Sequence, residues 1–310
     1  MKTFCKQWLA TAAVVAASFA SVPAQASTFA SAILDINNFR LLHSGGTAYS
    51  TTDFTVLTGT NDAHATASLN GVFANGAQSF GILSGLQPNV PHQCVGAPCP
   101  ALPENNFLPF PSPPPVPGTF GYADQDLTGA AITIGATPAG AHARTRADAS
   151  TAQNAIASGN SSVGTSTTFA FTLGASDTMT ISFDGTPFSQ AFVSVGAGAT
   201  SNANARLSWS INIIDLASNS SVFSYSPPEL NGLSAVSRTD GGPGLTTYDP
   251  GTAAFLAVTP LLLAGTTYQI TIEHNTLANA LQQELPEPGS KAALAIGMLA
   301  MSLAMRRRQT

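Results

Sequence analysis

Ala139-Gly140-Ala141-His142-Ala143-Arg144-Thr145-Arg146-Ala147-Asp148-Ala149-Ser150 is the stretch on which the fold turns. Alanine is the best helix former, so composition alone argues for a helix here. The spacing argues the other way. Ala139, Ala141, Ala143, Ala147 and Ala149 recur at every second position, with Thr145 in the one gap. Period two sends alternate side chains to opposite faces of a strand, whereas a helix needs apolar positions three and four apart. The expected element is a strand, with a small-residue face inward and the His142, Arg144, Arg146 and Asp148 face outward.

The same period recurs on both sides. Downstream, Phe169, Phe171 and Leu173 alternate, as do Met179, Ile181 and Phe183. Asp184-Gly185-Thr186-Pro187 carries turn chemistry, with Ala191 to Val195 as the returning strand. Ala203, Ala205, Leu207, Trp209, Ile211 and Ile213 form the longest alternation, and at ~3.4 Å per residue it crosses a whole sandwich layer. Trp209 is expected in the core. Val222 to Tyr225 pairs back after Ser218-Asn219-Ser220. Phe255 to Val258 and Tyr268 to Ile272 then close the domain around an Ala264-Gly265 turn.

Upstream, Ser31 to Leu42 reads as a strand with a bulge at Asn37-Asn38. Asp53 to Leu57 is a short second strand, and Ala63, Ala65, Ala67 and Leu69 alternate beyond it. Residues 88–118 differ in character. Eleven of the chain's 21 prolines fall there. Proline removes ladder donors, so this is a surface excursion, pinned back by Phe107, Phe110 and Phe120. Many short strands, turns between them and no amphipathic helix give an all-β fold, an antiparallel β-sandwich of jelly-roll-like kind over residues 27–275. Residues 276–285 read as a polar linker.

Charge and cysteines narrow the function. From Ser27 to Leu285 there is no lysine, and Arg40, Arg144, Arg146, Arg206 and Arg238 face fifteen acidic residues, a net charge of about −10. Such a body repels phosphate backbones, which argues against nucleic acid as a partner. Beyond Cys5 the only cysteines are Cys94 and Cys99, and in an exported chain the expected pairing is a local disulfide. A metal reading would recruit His92 but lacks a second cysteine pair.

No motif for catalysis stands out. His43, His64, His92, His142 and His274 lack zinc spacing, and no Gly-x-Ser-x-Gly elbow occurs. Asp124, Asp126 and Asp240 could offer oxygens to calcium but miss the EF-hand spacing, so solvated turns are expected there. The expectation is no cofactor, no metal and no enzyme activity. Tyr122, Tyr225 and Tyr248, with Trp209 as a further platform, are the candidate glycan contacts.

The two ends read as addresses. Lys2 and Lys6 precede an apolar run from Trp8 to Val22, and Ala24-Gln25-Ala26 has signal-peptidase spacing. Residues 1–26 are therefore expected to be a signal peptide, with Ser27 as the mature start. At the other end stand Pro286-Glu287-Pro288, an apolar run from Ala292 to Met305, and Arg306-Arg307-Arg308. Fourteen helical residues reach about 21 Å, short of the ~20 residues that a permanent span wants. The arginines place that terminus on the cytoplasmic side.

Residues 286–310 resemble the PEP-CTERM sorting signal of Gram-negative bacteria. The body resembles the exosortase-dependent surface proteins at Ala65 to Gly71, Glu104 to Phe107, Ser208 to Ile211 and Ala264 to Ile272. These resemblances imply a short transmembrane sorting helix and two processing partners, signal peptidase and the membrane protease exosortase. They imply an inner-membrane-anchored precursor, then a cell-surface or extracellular product in a biofilm or exopolysaccharide matrix. An uncleaved tail anchor and a glycan-binding module are the alternatives.

Overall fold

A computed structural model describes residues 27–111, 118–152, 154–163, 167–195, 200–237 and 242–282. The signal-peptide sites Ala24 and Ala26, the motif at 286–288, the arginines at 306–308, and Arg238 and Asp240 lie outside them. Fifteen strands make up the described fold: β1 (Thr28–Leu42), β2 (Phe54–Leu69), β3 (Val72–Gly81), β4 (Gln93–Ala97), β5 (Thr119–Thr128), β6 (Ala141–Thr151), β7 (Ala155–Val163), β8 (Thr167–Leu173), β9 (Asp177–Val193), β10 (Asn202–Asp215), β11 (Ser220–Tyr225), β12 (Leu233–Ser237), β13 (Gly244–Tyr248), β14 (Ala253–Leu262) and β15 (Thr267–Gln282). Thr51–Asp53 and Pro228–Leu230 are single 3-10 turns.

All pairings between these strands are antiparallel, in two sheets. The first runs β13-β9-β1-β6-β5-β4, with β14 also on β9. The second runs β11-β10-β15-β7-β2-β3, with β12 on β10 and β8 bridging β15 and β2. The sheets stack face to face, β1 over β15 and β10, β6 over β7, and β5 over β2. The all-β expectation therefore holds at the level of two stacked antiparallel sheets.

The filling between them changes along the strands. One half is aromatic and branched, with Phe39, Phe171, Met179, Phe183, Trp209, Ile211 and Phe255 all buried. Phe183 anchors that half, 4.5 Å from Trp209 and 5.1 Å from Phe255 between ring centres. Trp209 is core, as its alternation predicts. The other half is lined by Ala63, Ala65, Ala67, Ala147, Ala149 and Ala157. There the backbones themselves touch. A Cβ on Gly121 would lie 2.1 Å from the Ser158 carbonyl, and one on Gly159 would lie 2.0 Å from that of Tyr122. Alanine in β6 thus serves a strand because only small side chains fit where the layers close up.

Several expectations need correction. The strand over 141–151 is real and its charged face points outward, but that face is covered rather than solvated. Arg146 and Asp148 are fully buried, because β6 is a central strand and residues of the Pro-rich segment cover its outer side. The strands expected at Asp53 to Leu57 and Ala63 to Leu69 are one, β2, which starts at Phe54 and has a register shift between Phe54 and Val56. Asp184 to Pro187 is not a turn but the middle of the seventeen-residue β9. Proline is tolerated there because Pro187 lies between the last β14 pairing at Gly185 and the first β13 pairing at Ser189, where only β1 flanks the strand.

The linker boundary is wrong as well. Residues 276–282 continue β15, pairing with β7 and β10, and bury Thr276, Ala278, Ala280 and Gln282. The domain therefore reaches at least Gln282. The Pro-rich excursion also contributes a short edge strand, β4, paired only with β5. The bulge expected at Asn37-Asn38 is present, with Asn38 at φ 55° and a register break between Ile36 and Phe39.

Candidate functional site

The outer face of β1, β6 and β5 is where the sequence concentrates its charge. Alternation places Arg144, Arg146 and Asp148 of β6 beside Asp126, Asp124 and Tyr122 of β5 through the register Arg144↔Asp126, Arg146↔Asp124 and Asp148↔Tyr122. The segment after β4 closes over this row as a strap. Arg146 Nε donates to Asp148 at 2.5 Å, and its Nη1 donates to the carbonyls of Asn106 (3.0 Å) and Leu108 (2.7 Å). Phe110 lies over the same guanidinium at 4.4 Å and meets Phe29 edge-on. Phe107 covers Arg144, which pairs with Asp126. The pinning expected of Phe107 and Phe110 is thus realised through arginine as well as apolar contact.

At the strap's entry the expected Cys94–Cys99 disulfide is present, tying edge strand β4 to the chain that leaves it. His92 stacks on Tyr122 and contacts Glu104 at 2.6 Å. A loop this small confines little unfolded chain, so replacing both cysteines by serine should cost at most about 2 kcal/mol. Limited proteolysis should show the cut appearing in the strap, with the two sheets left intact.

Asp124 and Asp126 are not the solvated turn residues expected from the sequence. Both are buried in β5, and Asp124 accepts the Asn105 N–H at 3.0 Å. Burial, reinforced by the charge of Glu104, pushes the Asp124 carboxyl up from 3.8 to about 6. Between these values the folded chain holds a proton that the unfolded chain has released, so its contribution to stability falls as pH rises through the window. Buried His274, held down at about 4, contributes the opposite slope over the same range, so Asp124→Asn should leave stability rising more steeply from about pH 4 to pH 6 than in the wild type, read as urea midpoints. Burial likewise pushes the Asp148 carboxyl up, against the pull of Arg146.

The three candidate glycan tyrosines separate. Tyr122 is fully buried beneath the strap and can contact no external sugar. Tyr225 and Tyr248 are half-buried and share Glu229 as a neighbour. The Tyr248 hydroxyl donates to the Glu229 carbonyl at 2.9 Å, and Tyr225 backs edge-on onto Trp209. Asn231 fixes this corner, accepting the Trp209 N–H and donating to the Trp209 and Pro227 carbonyls. Trp209 itself is too buried to be a platform. The corner offers two aromatic edges beside an exposed carboxylate.

His43 has company that its sequence context hides. Its Nδ1 lies 2.8 Å from Asp177 and its Nε2 lies 3.3 Å from Asp53, with the Tyr49 ring tilted against it at 3.8 Å between centres. Burial raises the Asp177 carboxyl, but hydrogen bonds from Ser44, His43 and Thr178 outweigh it and hold it at about 2. With a carboxylate at each ring nitrogen, the imidazole has none left to activate a hydroxyl or bind a metal. Among the described residues no three His, Cys, Asp or Glu side chains are placed so that they could hold a metal ion together. Ser27 lies at the head of β1, its N–H bonded to the Ser194 hydroxyl at 2.8 Å.

Compared with known proteins, the chain matches no family model, no curated protein and no solved structure.

Proposed function

We propose that this is an exported, non-catalytic surface or extracellular-matrix protein whose C-terminal tail is processed by an exosortase. In this reading a jelly-roll-like sandwich is delivered by a signal peptide ending at Ala26. A short sorting helix, marked by Pro286-Glu287-Pro288 and stopped by Arg306-Arg307-Arg308, holds the precursor in the inner membrane until cleavage. The observation that carries it is the order of sequence signals at the two ends. The Cys94–Cys99 disulfide supports it, because such bonds persist in oxidising compartments. An acidic, lysine-free body also suits a molecule that must stay soluble among polysaccharides.

In a host that carries an exosortase, the wild-type chain should lose its tail and reach the surface or medium. A variant with Pro286→Ala and Pro288→Ala should keep its full tail mass and stay in the inner membrane. Recovery of the intact wild-type chain from the cytosol overturns the reading.

One observation favours a second reading, a glycan-binding module for exopolysaccharide. Tyr225, Tyr248 and Glu229 share one accessible corner, and half-buried aromatic rings beside a carboxylate suit sugar C–H and hydroxyl groups. Saturable binding on a glycan array, lost in Tyr225→Ala and Tyr248→Ala, would establish it.

A further inference from the structure

Near the β5–β6 connection the two sheets leave a cavity of about 90 Å³. Phe39 and Ile132 form one wall, and Phe169, Trp209 and Ile272 the other, with Leu83 at the rim. Protein interiors are close-packed, and one water needs only ~10–15 Å³ measured this way, so the space is several times larger than a packing fault of that size. It also opens outward. Ile272 lies on the inward side of β15 between fully buried Ile270 and His274, yet is partly exposed, and Leu83 is 49% exposed. Small residues keep it open, since Ala130, Ala131, Ala141 and Ala143 line it where larger side chains would fill it.

The lining dictates the ligand's charge. Among the described residues no Arg, Lys, Asp or Glu borders the cavity, and the polar groups of its lining side chains belong to Asn61, His274 and the Trp209 indole. The His274 Nε2 faces the Leu34 carbonyl at 3.1 Å, and burial lowers the imidazole's pKa to about 4, so it is neutral at pH 7. A charged guest would lose its hydration without gaining a counter-charge. A neutral hydrocarbon gains the apolar contacts that water cannot make.

We propose that this inter-sheet cavity binds a small neutral apolar molecule, of alkyl-chain or single-ring width, against Trp209. The full chain has two tryptophans, Trp8 and Trp209, so Trp8→Phe leaves Trp209 as the sole indole reporter. In that background, 1-butanol, short enough to enter whole, should change Trp209 emission saturably. Butanoate and butylammonium, of equal chain length, should bind about tenfold more weakly or worse. Ala143→Leu and, independently, Ala131→Leu should abolish the butanol response while leaving the thermal midpoint unchanged or raised. A non-saturating response, equal binding of butylammonium, or undiminished binding in both folded variants overturns the proposal.

Discussion

Replacing Asp148 by alanine should destabilise the protein by about 3–5 kcal/mol, read as a lowered urea midpoint at unchanged slope. The reason is the guanidinium left behind. Arg146 and Asp148 are both fully buried, and removing the carboxylate strands a cation that no solvent reaches. The intact pair is not thereby a large source of stability. Desolvation opposes it, as the raised Asp148 carboxyl shows. Arg146→Met combined with Asp148→Leu should therefore cost much less than Asp148→Ala alone. What the double variant loses is the strap, because Arg146 also donates to the Asn106 and Leu108 carbonyls. Its segment between Cys99 and Pro111 should become protease-sensitive while the sheets stay folded. If Asp148→Ala costs under about 1 kcal/mol, the pair is hydrated and the buried-charge argument fails.

The Arg146 pair also marks where sequence reading stops. Alternation across 139–150 correctly separates the faces of β6, because period two is a local property of the chain. It cannot tell that the charged face is covered, since the cover comes from residues some forty positions upstream. The phenylalanines in the Pro-rich stretch hinted at docking but named no target. His43 shows the same limit, its partner Asp177 lying 134 residues away. Other features are legible locally. Asn70-Gly71, both at positive φ, make the tight turn of the β2–β3 hairpin, a signal readable from the dipeptide alone. The tail of β15 reads as linker because Thr276, Asn279 and Gln282 interrupt its apolar residues. Its alternating Ala278 and Ala280 carry the same pattern as β6, and they face the same thin half of the sandwich.

That thin half yields the second large effect. Gly159→Ala should destabilise by about 3 kcal/mol or more, at or beyond the upper end of ordinary overpacking. A Cβ there would meet the Tyr122 carbonyl at 2.0 Å and the Asp148 carbonyl at 2.8 Å, both backbone atoms of the opposite sheet. A Cβ has no rotamer by which to escape, so relief requires the sheets to move apart. Gly121→Ala should act alike through the Ser158 and Ser68 carbonyls. Gly81→Ala is the control, because its Cβ would meet nothing closer than 3.9 Å, and it should be neutral or slightly stabilising. Equal midpoints for Gly159→Ala and Gly81→Ala would sink the close-contact account. The double variant discriminates further. Gly121 and Gly159 hold one shared separation between the layers, so once one methyl has forced it open the second has less left to displace. Their combined cost should fall short of the sum, whereas two independent local clashes would add.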